Sequence, residues 1–275
     1  MADDMTSSYR EFCIRNLREL QKKNQSEYDA DPSKYSCAKC LDRGKVYVYD
    51  EQEDDIVSVK CECYQSKVSQ ALARTSGFGF MLDTYKFENF IADNDFQKNM
   101  LGLAKGFCDD DEARWFFLGG QSGVGKTHLC TAIANHYIEQ GISTKYICWN
   151  SWATNLKKLF NNPDEYYKNL DEVLNVKVLF LDDLFKGATA RDTQPTEADI
   201  KLAFEVINGR YLSTDKITII SSEWFMGDLI TFDEGTFSRV FQGCGKYQCN
   251  IKREEGKNFR TRAIVQKVLK DRRGG

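Results

Sequence analysis

An α/β fold, a five-stranded parallel sheet with helices on both faces, is predicted by three observations. Helical and strand patterns alternate from Tyr85 to the end of the chain. The apolar run 114–118 leads straight into a glycine-rich loop, and a helical pattern follows that loop. Alternation of this kind builds strand–helix–strand units, whose parallel strands are buried on both faces. A separate small module precedes the sheet: paired cysteines at Cys37/Cys40 and Cys61/Cys63, with an amphipathic helix in front. The expected divisions are a helical segment 1–30, a four-cysteine module 31–66, a linker 67–84 and the α/β domain 85–275.

Residues 6–24 place Tyr9, Cys13, Leu17 and Leu20 on one helical face and Arg15, Arg18, Glu19 and Lys22 elsewhere. Such a stripe suits either packing on the cysteine module or docking of a partner. The span 28–36, with Pro32, is a polar break. Lys45–Tyr49 and Ile56–Val59 alternate like hairpin arms around an acidic tip, Glu51–Asp55. The sequence 75–79, Thr-Ser-Gly-Phe-Gly, closes a connecting segment. Strands are expected at Trp115–Leu118, Thr144–Cys148, Val176–Leu181, Ile217–Ser221 and Tyr247–Ile251.

The chain of 275 residues is 41% hydrophobic and 29% charged, with net charge −3. That balance is globular, and it gives no global attraction to nucleic acid. No apolar run reaches the length of a membrane span. The acidic N-terminus lacks the layout of a signal peptide, so a cytoplasmic location is expected, where ten cysteines are not disulfide-bonded.

Gly120-Gln121-Ser122-Gly123-Val124-Gly125-Lys126-Thr127 matches G-x-x-x-x-G-K-[ST] at every fixed position. Glycines let the backbone turn its N–H groups toward phosphate oxygens; Lys126 adds a point charge, and Thr127 offers a hydroxyl to Mg²⁺. ATP or ADP with Mg²⁺ is the expected occupant. Val178-Leu179-Phe180-Leu181 delivers Asp182 and Asp183 at a strand end, the arrangement in which one carboxylate holds Mg²⁺ and the next acts as general base. A strand ending in an acidic turn is the competing explanation. The strand 217–221 leads into Ser222-Glu223, beside the γ-phosphate position. Arg239 is either an arginine finger reaching a neighbouring subunit or a surface ion-pair partner. The two cysteine pairs, twenty residues apart, suit a four-thiolate structural zinc site of the ribbon type, with unligated thiols as the alternative.

The chain resembles the AAA+ helicase loaders of the DnaC/DnaI type, including phage-borne relatives, within the wider IstB-like ATPase group. The resemblance rests on the cysteine module, the lead-in Thr84–Phe90, Gly-Lys-Thr-His-Leu at 125–129, Leu-Asp-Asp-Leu at 181–184, Asn208-Gly209-Arg210-Tyr211 and Ser238-Arg239. It implies an AAA+ P-loop domain that hydrolyses ATP, binds single-stranded DNA and self-associates. It also implies an N-terminal region that grips a hexameric, DnaB-type replicative helicase. Lys126, Asp182, Asp183 and Arg239 carry over as catalytic, and His128 follows in the same motif. Tyr85 and Phe87 lie where such ATPases often receive the base. The family's sensor strand commonly ends Ser/Thr-Asn. Ser222-Glu223 departs from it, so either Ser222 senses the phosphate or Glu223 acts differently and slows hydrolysis by repelling the γ-phosphate.

DNA contact is expected at Lys157 and Lys158, or in the basic tail from Lys252, where nine Lys/Arg meet three Asp/Glu. A solvated charged face fits those residues equally well. A transposition ATPase of the IstB-like kind and a small-molecule kinase are the alternatives to a loader.

Overall fold

The computed structural model describes residues 2–64, 68, 71, 75, 77–186, 194–252 and 258–259. The chain divides into two compact units, Met1–Ala71 and Leu72–Gly275.

In the first unit, helix α1 (Ala2–Ala30) is longer at both ends than its apolar stripe predicts. Strands β1 (Lys45–Asp50) and β2 (Asp55–Lys60) form the expected antiparallel hairpin, in register from Lys45↔Lys60 to Asp50↔Asp55. The helix packs on this hairpin. Tyr9 donates to Asp55 Oδ1 at 3.1 Å, Arg10 pairs with Glu51 at the acidic tip, and the buried Asn24 amide donates to the Lys39 carbonyl at 2.9 Å.

The second unit opens with a short helix α2 (Met81–Thr84) and a 3₁₀ turn at Phe87–Asn89. Phe78 and Leu82 are buried in its core, so the end of the expected linker 67–84 is part of the domain, while most of 65–76 lies outside the described residues. Next come α3 (Asp95–Cys108), β3 (Trp115–Gly120), α4 (Lys126–Glu139), β4 (Thr144–Cys148), α5 (Trp149–Lys158), α6 (Pro163–Asn175) and β5 (Val178–Leu184). The last described elements are α7 (Glu197–Tyr211), β6 (Ile217–Ser222), α8 (Met226–Phe232), α9 (Glu234–Cys244) and β7 (Gln248–Ile251). Helix α3 starts at an Asn94/Gln97 capping box, and α7 at a Thr196/Asp199 one.

The sheet runs β4-β5-β6-β3-β7, every pair parallel. Its strands alternate between two cores. Trp115, Phe117, Leu179, Leu181 and Ile220 face one, while Phe116, Leu118, Val178, Phe180, Ile217 and Ile219 face the other. Burial on both faces is why these strands read as continuous apolar runs rather than alternating ones. The carboxyl ends of β3, β5 and β6 bring Gly120, Asp182 and Ser222 to one edge, where open α/β sheets place their ligands.

Strand β5 differs from its expected span 176–181. It begins at Val178, because the Val176 carbonyl is taken by Arg210. It continues to Leu184 through a register shift: Leu181 pairs with Ile220, and Leu184 with Ser222. One extra residue on β5 makes this a bulge, which carries Asp182 and Asp183.

Candidate functional site

Helix α4 starts at Gly125 (φ 100°) with no side chain capping it. A glycine N-cap offers no side-chain acceptor to the first N–H groups of the helix, and the helix dipole there favours an anion. Only glycine fits at this start, since a Cβ on Gly125 would lie 2.6 Å from the Phe90 ring. A Cβ on Gly120 (φ 108°) would lie 2.1 Å from the Ile251 carbonyl. The Gln121 N–H is used by that Ile251 carbonyl at 3.2 Å, and Val124 is buried in the core. The cradle proper is thus Ser122, Gly123 and Gly125–Thr127, which line a cleft of about 260 Å³.

Lys126 is only 5% exposed, and its ammonium donates to the Gly120 and Gln121 carbonyls at 2.8 and 2.9 Å. Burial pushes its pKa down, against the pull of Asp183 and Glu223. A buried cation among uncapped N–H groups fits a polyphosphate.

Asp182 is buried and gathers three hydroxyls. Thr127 donates to Oδ1 at 3.0 Å, Tyr146 to Oδ2 at 3.1 Å, and Ser221 to Oδ1 through a short bond. Burial, with Asp183 adding to it, raises the Asp182 pKa, while the hydroxyls oppose the shift. A carboxylate whose charge costs energy, joined to the Thr127 hydroxyl, is a fitting donor set for Mg²⁺. Ser221 also accepts from the Asp183 N–H at 3.0 Å, so one hydroxyl orients both acidic residues. Asp183 has φ 54°, a left-handed conformation uncommon for a non-glycine residue. The bulge holds it there and turns its carboxylate into the cleft.

The far end of the cleft is apolar. Tyr85 stacks on His128 at 4.9 Å, and Phe90 meets His128 edge-on at 5.2 Å. His128 Nε2 bonds the Lys86 carbonyl at 2.8 Å, and burial lowers its pKa. Two expectations are corrected here. Phe87 packs against the core instead of lining the cleft, because the 3₁₀ turn points it inward; Phe90 and Ile91 line the cleft in its place. Ser222 is buried with its hydroxyl donating to the Leu184 carbonyl at 2.7 Å and accepting from the Trp224 N–H at 3.1 Å, so it faces away from any phosphate. The polar group at this strand end is Glu223, whose carboxylate pairs with Lys186 at 3.2 Å.

Sequence reasoning missed Lys186, Tyr146, Ser221 and Phe90. Phe90 closes the lead-in Thr84–Phe90 and reaches the cleft from the end of the 3₁₀ turn. Lys186, Tyr146 and Ser221 carry no motif signal and reach the site through the sheet order. Arg239, on α9, donates to the Gly235 carbonyl and lies 6.0 Å over the Tyr211 ring; it does not line the cleft. Lys157 is ion-paired with Asp199, which weakens its case as a DNA contact, and Lys158 donates to Asn155 at 3.3 Å. The basic tail lies almost entirely outside the described residues.

In the first unit, the sulfurs of Cys37, Cys40, Cys61 and Cys63 all lie within 4.8 Å of one another. Cys37–Cys61 and Cys40–Cys63 are 3.8 and 3.3 Å apart. A tetrahedral zinc with Zn–S near 2.3 Å requires sulfurs about 3.8 Å apart, so the four fit that ion. Beside them, Leu17 and Leu20 of α1 and Val46 and Val48 of β1 line a groove of about 500 Å³.

Residues 66–262 match the family model described as IstB-like ATP binding protein. The chain belongs to this family. Among relatives of this IstB-like protein, YqaM of Bacillus subtilis is 33% identical over 74% of this chain and 67% of its own length. The phage-like element PBSX protein XkdC of B. subtilis is 28% identical over 82% and 85%. The replicative helicase loader DnaC of Buchnera aphidicola is 27% identical over 43% of this chain and 49% of its own. The fold is shared with AMPPCP-bound DnaA from Aquifex aeolicus, at TM-score 0.50 and 21% identity over 68% of this chain and 55% of that one. This IstB-like domain is an AAA+ P-loop fold, and the four-cysteine module lies ahead of the family match.

Proposed function

We propose that this protein is an ATP-driven helicase loader: an AAA+ ATPase that delivers a hexameric, DnaB-type replicative helicase to DNA. The observation that carries the ATPase half is the Thr127–Asp182 hydrogen bond beside the buried Lys126, at the start of an uncapped helix. Lys126 and the N–H groups of Gly123 and Gly125–Thr127 bind the β- and γ-phosphates, and Tyr85, Phe90 and His128 receive the base. Thr127 and Asp182 would hold Mg²⁺, which would supply positive charge to the phosphates. Asp183 accepts a proton from the attacking water as its oxygen bonds to the γ-phosphorus and the bond to the β–γ bridging oxygen breaks. Arg239, outside its own cleft, acts in the site of a neighbouring subunit as an arginine finger.

The loader half is supported by the likeness to DnaC and by the four-cysteine module outside the family match. Zinc at Cys37, Cys40, Cys61 and Cys63 supplies folding energy to a unit too small for a large core of its own. The groove beside it offers an apolar face to the helicase. Single-stranded DNA binds the α/β unit. A transposition ATPase has no evident use for the zinc module.

The test is co-purification of the full chain with the host's replicative helicase, alongside steady-state ATP hydrolysis. Asp183→Asn is expected to lower the rate by about 100-fold or more, the scale of a lost general base, while helicase capture survives. Failure to capture the helicase overturns the loader reading; an unchanged rate in Asp183→Asn overturns the catalytic assignment.

A further inference from the structure

Among the described residues, the P-loop, the Asp182–Asp183 pair and Arg239 leave one charged residue that lines the cleft, Lys186, without a role. Lys186 follows the bulge of β5 and lines the same cleft wall as Ser122, Gly123, Lys126 and Asp183. Its ammonium is 2.8 Å from Asp183 Oδ2 and 3.2 Å from Glu223 Oε1. Burial works against its charge, but the two carboxylates hold its pKa above the ordinary lysine value. The Glu223 carboxylate also feels the charge of Lys126 and the nearby Ser122 side chain, both of the phosphate loop, which help to lower its pKa against burial.

These contacts locate Lys186 along the phosphate chain. Thr127 and Asp182 are the residues that would hold a metal ion, and the next residue, Asp183, lines the cleft on the side where water would approach the γ-phosphate. A cation bonded to Asp183 is therefore at the γ end, away from the α-phosphate and the base. With no γ-phosphate, Lys186 neutralises the two carboxylates there. A γ-phosphate brings further negative charge into that space, and the flexible ammonium is the group able to answer it.

We propose that Lys186 contacts the γ-phosphate and thereby sets the preference of this site for a nucleoside triphosphate over a diphosphate. Glu223, the residue that departs from the family's sensor pattern, is then the counter-charge that parks Lys186 when the γ-phosphate is absent. The carboxylate expected to repel ATP is thus neutralised by a partner delivered from the neighbouring strand. Transfer of Lys186 to the phosphate also releases Asp183, so that its carboxylate is free to face water only when a triphosphate is bound. This inference rests on nucleotide binding in the cleft described above.

The experiment compares the Mg²⁺-dependent affinities of the full chain for ADP and for the non-hydrolysable β,γ-methylene analogue of ATP, by calorimetry. Lys186→Ala is expected to weaken the analogue at least about tenfold, the worth of one charge-assisted hydrogen bond, and ADP by no more than about twofold, within the spread of weak surface effects. Lys186→Arg should recover most of the loss, and retained ADP binding certifies the fold of each variant. Parallel losses for both ligands mean that Lys186 is only structural and overturn the proposal, as does no loss for either. Lys126→Ala should lose both ligands. Wild-type chain that binds neither overturns the reading of the cleft itself, and this inference with it.

Discussion

At the scale of single residues, the buried carboxylate of Asp182 shows how function is built against stability. Burial raises its pKa, so ionising it costs the nucleotide-free fold energy. A group whose folded pKa lies above its unfolded one favours the fold at pH below the unfolded value, near 3.9, and that contribution is lost as pH rises through the folded value. Asp182→Asn is therefore expected to raise the melting temperature of the nucleotide-free protein at pH 7, and the gain should vanish below about pH 4. The amide can keep its oxygen toward Thr127 and Ser221 while its NH₂ meets Tyr146. Thermal denaturation across pH reads this directly, and the same variant should lose the stabilisation that Mg²⁺ with ATP gives wild type. A lower melting temperature at pH 7 would show that the carboxylate is better compensated than its surroundings indicate.

At the scale of elements, Asn208-Gly209-Arg210-Tyr211 turns out to be a packing device. Arg210 is fully buried, with its pKa lowered to about 10 by that burial. It donates to the carbonyls of Val173 and Val176 at 2.9 Å each, to the Ile217 carbonyl at 2.7 Å and to Thr218 Oγ1 at 2.9 Å. It thus closes the C-terminal end of α6, whose last carbonyls have no helical partner. Gly209 allows the approach, since a Cβ there would lie 2.8 Å from Leu174. Arg210→Ala should cost about 3 kcal/mol or more, because several buried carbonyls lose their donors at once. Urea unfolding measures it, and a loss under about 1 kcal/mol would mean that water replaces the guanidinium. Arg210→Lys should recover only part, since one ammonium cannot reproduce the planar fork. The motif was visible in the sequence; its role was not, because its partners lie on α6, on the turn after it and on β6.

At the scale of the whole molecule, two units with different sources of stability divide the chain. The α/β unit is held by two cores on either side of its sheet. The first unit relies on four convergent thiols. Metal analysis is expected to return one zinc per chain. Cys40→Ser, or a strong chelator, should unfold the first unit and abolish helicase capture, while ADP binding by the second unit remains. Loss of both activities together would show that the zinc unit supports the nucleotide site. An unchanged first unit would show that the thiols do not need a metal.

Read from composition and pattern alone, the chain already determined its glycine loop, its acidic strand end, its four-cysteine spacing and its five strands. Those features depend on residues near one another in sequence, where turn chemistry and apolar runs act locally. Tertiary structure decided the rest. The order β4-β5-β6-β3-β7 sets β5 beside β6, which brings Ser221 onto Asp182 and Glu223 onto Lys186, and turns Ser222 inward. A one-residue bulge aims Asp183, and no local pattern announces it. Such contacts arise only when distant strands pair, because register then determines which side chain faces the phosphate and which faces the core.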